Sequence, residues 1–469
     1  MRTNHDQAKD EGGPGDGWDG PVSTADRTTP GEAAGSGSGA GATAGTGPGA
    51  AAGGAAGVAV GAGAGGADPT ARVPVSWTAR FTLLWLGFWM AWLVPIQLVL
   101  PNQFDAVDAA HKVRDFGITN GAAGVVALIA LPLAGALCDH TRSRWGRRRV
   151  WMAAGVVVFA ASLSVTGLQD TWVGVMICWL FASLGFSMAS AGLFAAVADH
   201  VPIAQRGIIS GAIFGPQALG LLVGLVLLTQ VVTSNAGGYV LLAVFLILLS
   251  IPFVLRFREA LAPQAGLPLT VRGLAAAMWV SPREHPDFAW AFGGRVMVNI
   301  GNALGTTYLL YFFQHLHLHD PDNALLTTTA IYLVFTLATT YGGGLLSDRS
   351  GRRRVFVVVA SVLQAIAALL LVIWPSFGAA LVGAAFLGAG YGAFLSVDQA
   401  LVTQVLPDAE SRAKDLGIMN IGNNVPQSLA PLAAALIIDQ LGGYRTLFGA
   451  AGAFTVLGAV MVYRIRSVR

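Results

Sequence analysis

Charge is scarce in this chain: Asp, Glu, Lys and Arg make up 11% of its 469 residues, against 54% of hydrophobic types. Soluble globular domains carry about a quarter charged residues, so the composition excludes that class and indicates a polytopic membrane protein. Cysteine is nearly absent as well. Cys138 and Cys178 have neither the spacing of a zinc site nor that of a disulfide framework, and they read as two buried free thiols. No glycine run leads into Lys-Ser or Lys-Thr, which excludes a phosphate loop; without a catalytic triad or metal cluster either, no enzyme and no metal site is expected. The small net charge of +3 is spread over short loops instead of forming a patch, so nucleic acid is not an expected partner. No basic segment runs directly into an apolar one near the N-terminus, so no secretory signal is read there. Residues 1–75, dominated by Gly and Ala, lack the aliphatic and aromatic content that builds a core and are expected to be disordered.

What the chain does have is long apolar runs. Twelve are predicted as spans, at 80–101, 117–138, 150–168, 172–197, 207–231, 238–257, 288–314, 325–346, 355–374, 377–405, 416–440 and 445–465. Each is long enough, at 1.5 Å per residue, to cross a hydrocarbon core of roughly 30 Å. Between the second and third lie Gly135, Asp139, Arg142, Arg144, Gly146, Arg147, Arg148 and Arg149. Arginine at a bilayer centre costs about 2.5–3.5 kcal/mol even on lenient scales, so this cluster belongs in a loop. The pattern returns with Gly344, Asp348, Arg352, Arg353 and Arg354 after the eighth run, which marks a duplicated chain. Gly207 and Pro216-Gln217 likewise have counterparts in Gly417 and Pro426-Gln427. The arginine clusters all fall on one side of the membrane, whereas Lys112, Arg114 and Arg445 are the cations of the other. The positive-inside rule then predicts both termini in the cytoplasm. Residues 76–257 form one six-helix half, 258–287 a cytoplasmic linker, and 288–469 the second half.

These motifs, Gly-x-Leu-x-Asp with a following Gly-Arg-Arg-Arg after the second run and a sister copy after the eighth, resemble the major facilitator superfamily. The expanded loop Asp139 to Arg149 is similar to that of its glycoside and sucrose cation-symporter branch. The resemblance implies an all-α membrane protein of twelve transmembrane helices in two pseudo-symmetric six-helix bundles, working by alternating access. It also implies that Gly135, Asp139, Arg142, Gly146, Arg147 and Arg148, with Asp348, Arg352 and Arg353, act as a conformational latch on the cytoplasmic side. The plainer alternative is that the arginines only anchor a loop, but that alone asks for no acid or glycine at fixed spacing.

An ionisable residue inside a span is functional by default, and two stand out, Arg295 in the seventh and Asp398 in the tenth. They fall at similar depth and can pair, for proton coupling or as a fixed structural ion pair, with direct contact to the solute as the third role. A layer of amides, Gln97, Gln217, Asn299, Asn302, Gln399, Asn420 and Asn424, with the aromatic Tyr308, suits a poly-hydroxylated ligand; interhelical hydrogen bonding is the competing role for each. Trp85 and Trp89 are further candidates to stack on a sugar face. The sodium-coupled members of the resembled branch carry aspartates within the second and fourth spans, and this chain has none there, which favours protons. The reading is therefore a monomeric plasma-membrane transporter that uses a proton gradient, with no cofactor, to import a small solute, a sugar or glycoside first. Proton-driven drug efflux, hinted at by the Gly211 to Gly220 segment around Pro216, and a non-transporting sensor of the same fold are the alternatives.

Overall fold

The computed structural model describes residues 72–202, 205–232, 234–257, 259, 285–350, 353–405 and 412–465. Within them the chain is helical: α1 (Val75–Val107), α2 (Lys112–His140), α3 (Arg147–Thr166), α4 (Trp172–His200), α5 (Arg206–Gln230) and α6 (Asn235–Arg256). The second half holds α7 (Pro286–Thr307 with Leu309–His315), α8 (Pro321–Ser350), α9 (Arg353–Ile373), α10 (Phe377–Val405), α11 (Arg412–Gln440) and α12 (Gly443–Tyr463). Apolar side chains leave the backbone nothing but itself to hydrogen-bond in lipid, which is why these runs become helices. Among the described residues ten helices are long and apolar enough to cross a membrane, and α7, bent by 42° after Thr307, makes an eleventh if its two parts are one span. Helix α11, which carries Asn420, Asn423, Asn424 and Gln427, is not one of them, so the expected twelve stand at eleven by this measure.

The duplication read from the motifs appears as repeated packing. In the first half α1 lies against α5 and α6, α2 against α4, and α3 against α4 and α6; in the second, α7 lies against α11 and α12, α8 against α10, and α9 against α10 and α12. Each pairing recurs six helices later.

The interiors of the halves differ. Helix α1 has 89% of its most apolar stretch buried, whereas the other spans have 33–56%, so it forms the pillar of the first half. Its Trp85, Phe88, Trp89 and Trp92 pack with Phe159, Trp179 and Phe186; Trp92 and Trp179 stack at 5.2 Å. Trp89 also donates to the Ile213 carbonyl at 2.7 Å. Trp85 and Trp89 are therefore core aromatics and not the sugar-stacking pair expected, because the indoles fill the space between α1, α4 and α5.

The halves close on each other at the end away from the arginine loops. Helices α2 and α11 meet through Gly117, Gly121 and Gly124, where an added Cβ would run into Ala435, Leu432 and Ser428. Glycine permits that approach by presenting no side chain. Hydrogen bonds between halves gather at the same end: Asn102 Nδ2 to Asp322 at 3.1 Å, Lys112 Nζ to Gln314 Oε1 at 2.8 Å, Gln314 Nε2 to Asn102 Oδ1 at 3.1 Å and Gln230 Nε2 to Asn323 Oδ1 at 2.6 Å. Asp115, fully buried there, pairs with the neighbouring Arg114 at 2.9 Å.

Candidate functional site

Three groups of polar residues are set into this frame. The first is the arginine loop. Gly146 sits at φ 94°, a region that favours glycine, and an added Cβ would lie 2.9 Å from Glu259 Oε2. That turn starts α3 with Arg147 and Arg148, two cations at the positive end of a helix dipole, an arrangement that needs an anion. Glu259, three residues beyond α6, supplies it. Its carboxylate accepts the Arg148 backbone N–H at 3.0 Å and the Arg147 Nε at 3.0 Å, and lies 3.6 Å from Arg148 Nε. Asp199, at the end of α4, pairs with Arg148 and with Arg147 at 3.3 Å. Asp139 is half exposed and only grazes Arg148, at 4.0 Å, while Arg142 is exposed. Gly135 meets nothing within 4 Å of an added Cβ, so the close helix approach expected of it is not made in this conformation. The expected acid, Asp139, is thus joined by two others that the sequence reading missed as partners. Glu259 lay in a segment read as linker, yet an acid just past a span that ends beside the arginine loop was a usable signal. Arg352 and the side chains of Asp348 and Arg353 lie outside the described residues.

The second group is the ion pair. Arg295 and Asp398 meet at 2.7 Å with side chains 4% and 7% exposed, bringing α7 and α10 together at the depth the sequence predicted. Above the pair, Asn299 donates to the Arg295 carbonyl at 2.9 Å and accepts from Tyr391 at 3.1 Å. The first bond lies within α7 and fixes the Asn299 side chain, and the second ties α7 to α10 beside the pair. Removing one member of such a buried pair typically costs 3–5 kcal/mol, since the other charge stays behind unpaired.

The third group surrounds a cavity of about 50 Å³ set mainly in the second half and bounded on one side by Gln97 and Leu221 of the first; Thr306, Thr328, Thr329, Tyr332 and Gln364 line it among small residues of α7, α9, α10 and α12. Roughly 10–15 Å³ of such volume holds one water, so the space takes three or four. Asn302, completely buried, approaches the Tyr332 hydroxyl at 3.5 Å. A smaller cavity of about 10 Å³, between the halves, is lined by Gln217 and Thr336 and shares Tyr332 and Leu221 with the first. Gln97 thus lines the larger cavity and Gln217 the smaller, while Asn302 touches the Tyr332 that both share. Tyr308 lies elsewhere: its hydroxyl donates to Pro431 O at 2.7 Å and its ring packs edge-on against Phe116, placing it in the closure between halves instead of the solute space. The side chains of Gln399, Asn420 and Asn424 lie outside the described residues. Tyr332 and Gln364 went unread. Gln364 was visible as a lone amide in the otherwise apolar α9, while Tyr332 looked like any core aromatic.

Two like-built helical halves, the second holding a buried ion pair, define a multi-pass membrane protein of the transporter fold. The chain belongs to the major facilitator superfamily, whose family model matches residues 81–343 and 291–469. It is similar to monocarboxylate transporter 2 of Meriones unguiculatus, 27% identical over 183 residues that make up 38% of this chain and 37% of that protein. The match thus spans little more than a third of the relative's length. Among solved structures it resembles the nucleoside transporter NupG with a TM-score of 0.64 and 13% identity, over 83% of this chain and 99% of that one. At that identity the likeness concerns the fold.

Proposed function

We propose that the protein is a secondary active transporter working by alternating access, coupling proton movement to symport of a small polar solute, with a sugar or glycoside first among candidates. The observation that carries the reading is the Arg295–Asp398 pair, buried between α7 and α10 beside uncharged amides and hydroxyls. Ionisable side chains at this depth are costly and mark ion pathways or coupling sites. Asp398 is the group that takes up the proton; doing so removes the attraction that ties α7 to α10, while Asn299 and Tyr391 hold the helices in register. The stretch of α2 from Phe116 to Cys138 holds no acid and α4 holds none before Asp199 at its end, so the sodium site of the resembled branch has no counterpart there, which supports the proton.

By the positive-inside rule the arginine loops and both termini face the cytoplasm of a plasma-membrane protein. The closure of α2 on α11 is then on the outer side, and the conformation faces inward. The cluster of Arg147, Arg148, Asp199 and Glu259, with Asp139 exposed beside it, is the first-half part of a latch that forms when the cytoplasmic ends meet. The family resemblance assigns Asp348, Arg352 and Arg353 to the opposing part. A monomer suffices for this cycle, and its energy comes from the gradient alone.

The test is uptake into proteoliposomes of labelled mono- and disaccharides under an imposed pH gradient, with and without a protonophore. Gradient-dependent accumulation of a sugar supports the reading. Uptake that ignores the gradient removes the coupling, and no uptake of any sugar removes the solute class.

A further inference from the structure

The larger cavity runs from Gln97 and Leu221 of the first half back to α9 and α12 of the second. Gln364, Ala367, Ala368 and Leu371 of α9 and Phe448, Ala451 and Thr455 of α12 form its far wall. The chemistry of that wall is one-sided. Gln364, 1% exposed, donates one of its two amide N–H groups to the Ala360 carbonyl one turn back at 3.4 Å, and its Oε1 accepts no hydrogen bond. The hydroxyls of Thr306, Thr328 and Thr455 donate to carbonyls of their own helices at 2.9, 2.7 and 2.8 Å, which leaves oxygen lone pairs for the cavity. Asn302 donates toward Tyr332, and its Oδ1 also accepts nothing. Across the shared Tyr332, the buried Gln217 offers another unengaged Oε1 to the midline cavity. Among the described residues no charged side chain lines either space. A buried acceptor without a donor is expensive, so the favoured occupant brings donors. A carboxylate brings only acceptors and finds no cation among the described lining residues; an alcohol brings O–H donors for the unfilled oxygens and can also accept from the amide N–H groups, and its C–H faces suit the alanines.

We propose that this side pocket is a subsite for a hydroxyl-bearing arm of the transported solute, with Gln364 and Tyr332 as specificity-determining residues and a neutral polyol or sugar as the ligand class. The inference rests on the transport reading above and deepens it. With room for three or four waters, the pocket takes a two- or three-carbon diol arm, while the rest of the solute lies at the midline against Gln97 and Gln217.

The experiment is equilibrium binding of tritiated glucose, sucrose and myo-inositol, and of labelled lactate, to the full chain purified in detergent, for wild type, Gln364→Leu and Ala384→Leu. Ala384→Leu fills the same pocket from α10, so the result does not hang on the folding of one variant. Binding of at least one polyol that falls tenfold or more in both variants, with lactate not bound, is expected. Polyol binding untouched by both substitutions, lactate binding lost in them, or no polyol binding at all overturns the inference. The transport reading is decided separately: gradient-driven accumulation of lactate, or of a sugar equally well by Gln364→Leu, would leave the proton-coupled reading intact and sink the subsite.

Discussion

Gly117→Ala adds one methyl group at the tightest point between the halves, and its effect can be worked from the geometry. The new Cβ would overlap Ala435 Cβ and lie 2.9 Å from the Tyr308 hydroxyl and 3.0 Å from the Pro431 carbonyl. Two of those atoms belong to the rigid face of α11, so only the tyrosine can give way, and its hydroxyl then leaves Pro431 O. Overpacking costs about 1–3 kcal/mol and the lost hydrogen bond about 1 kcal/mol, together about 2–4 kcal/mol. The gain in helix propensity from Gly to Ala is the same in both conformations and cancels. The strain exists only while α2 and α11 touch, so the ratio of closed to parted states falls roughly 30- to 700-fold at 1.4 kcal/mol per decade. Spin labels at the exposed positions Ala110 and Gln440, with Cys138 and Cys178 replaced, report this separation by double electron–electron resonance. The variant is expected to move the distance distribution to longer values. A folded variant with the wild-type distribution would refute the claim that this contact holds the closed state.

Other substitutions give separate readings. Gly135→Leu, in open space here, adds bulk at the arginine end and should disfavour any state in which that end closes, shifting the same labels toward the short distance. Glu259→Ala removes one of the two anions that Arg147 and Arg148 share, leaving Asp199 to pair with both; a loss of about 1–3 kcal/mol is expected, read as a lower unfolding temperature in detergent, with Asp139→Asn costing far less. Replacing the pair together, Arg295→Met with Asp398→Leu, should recover most of the stability that Asp398→Asn loses, yet leave accumulation abolished; recovered accumulation would make the pair purely structural. Asp320 precedes α8, and the Asn323 backbone and side-chain N–H groups hold its carboxyl below the usual carboxylate range. A depressed pKa stabilises above the unfolded value and is lost as pH falls through the folded one, so Asp320→Ala should cost roughly 1 kcal/mol at neutral pH and progressively less as acid protonates the wild-type carboxyl.

Much of this architecture was legible because its causes are local. Span positions follow from apolar runs, the duplication from two copies of an arginine motif, and the Arg295–Asp398 contact from depth arithmetic along two antiparallel helices. What escaped was set by packing across the chain. Helix α1 starts at Val75 and continues through a π turn at Pro95 to Val107, further than the apolar run suggested, because the rest of the first half buries it. Tyr308 carries the same sequence signal whether it lines a cavity or seals two halves; the 42° bend after Thr307 decides, and no residue spacing encodes it. Glu259 and Asp199 became partners of the arginine loop only once α4 and α6 ended beside it. Gln364 lies on a helix that looked peripheral, and it gained its place from the alanines and glycines that leave space in front of it.

The most direct test of the central claim compares wild type with Asp398→Asn in proteoliposomes, measuring both gradient-driven accumulation of a transported sugar and its exchange at equal concentrations. The account predicts that the variant exchanges solute but no longer accumulates it against a gradient. Accumulation at the wild-type level in Asp398→Asn would contradict it, since the proton would then be carried elsewhere.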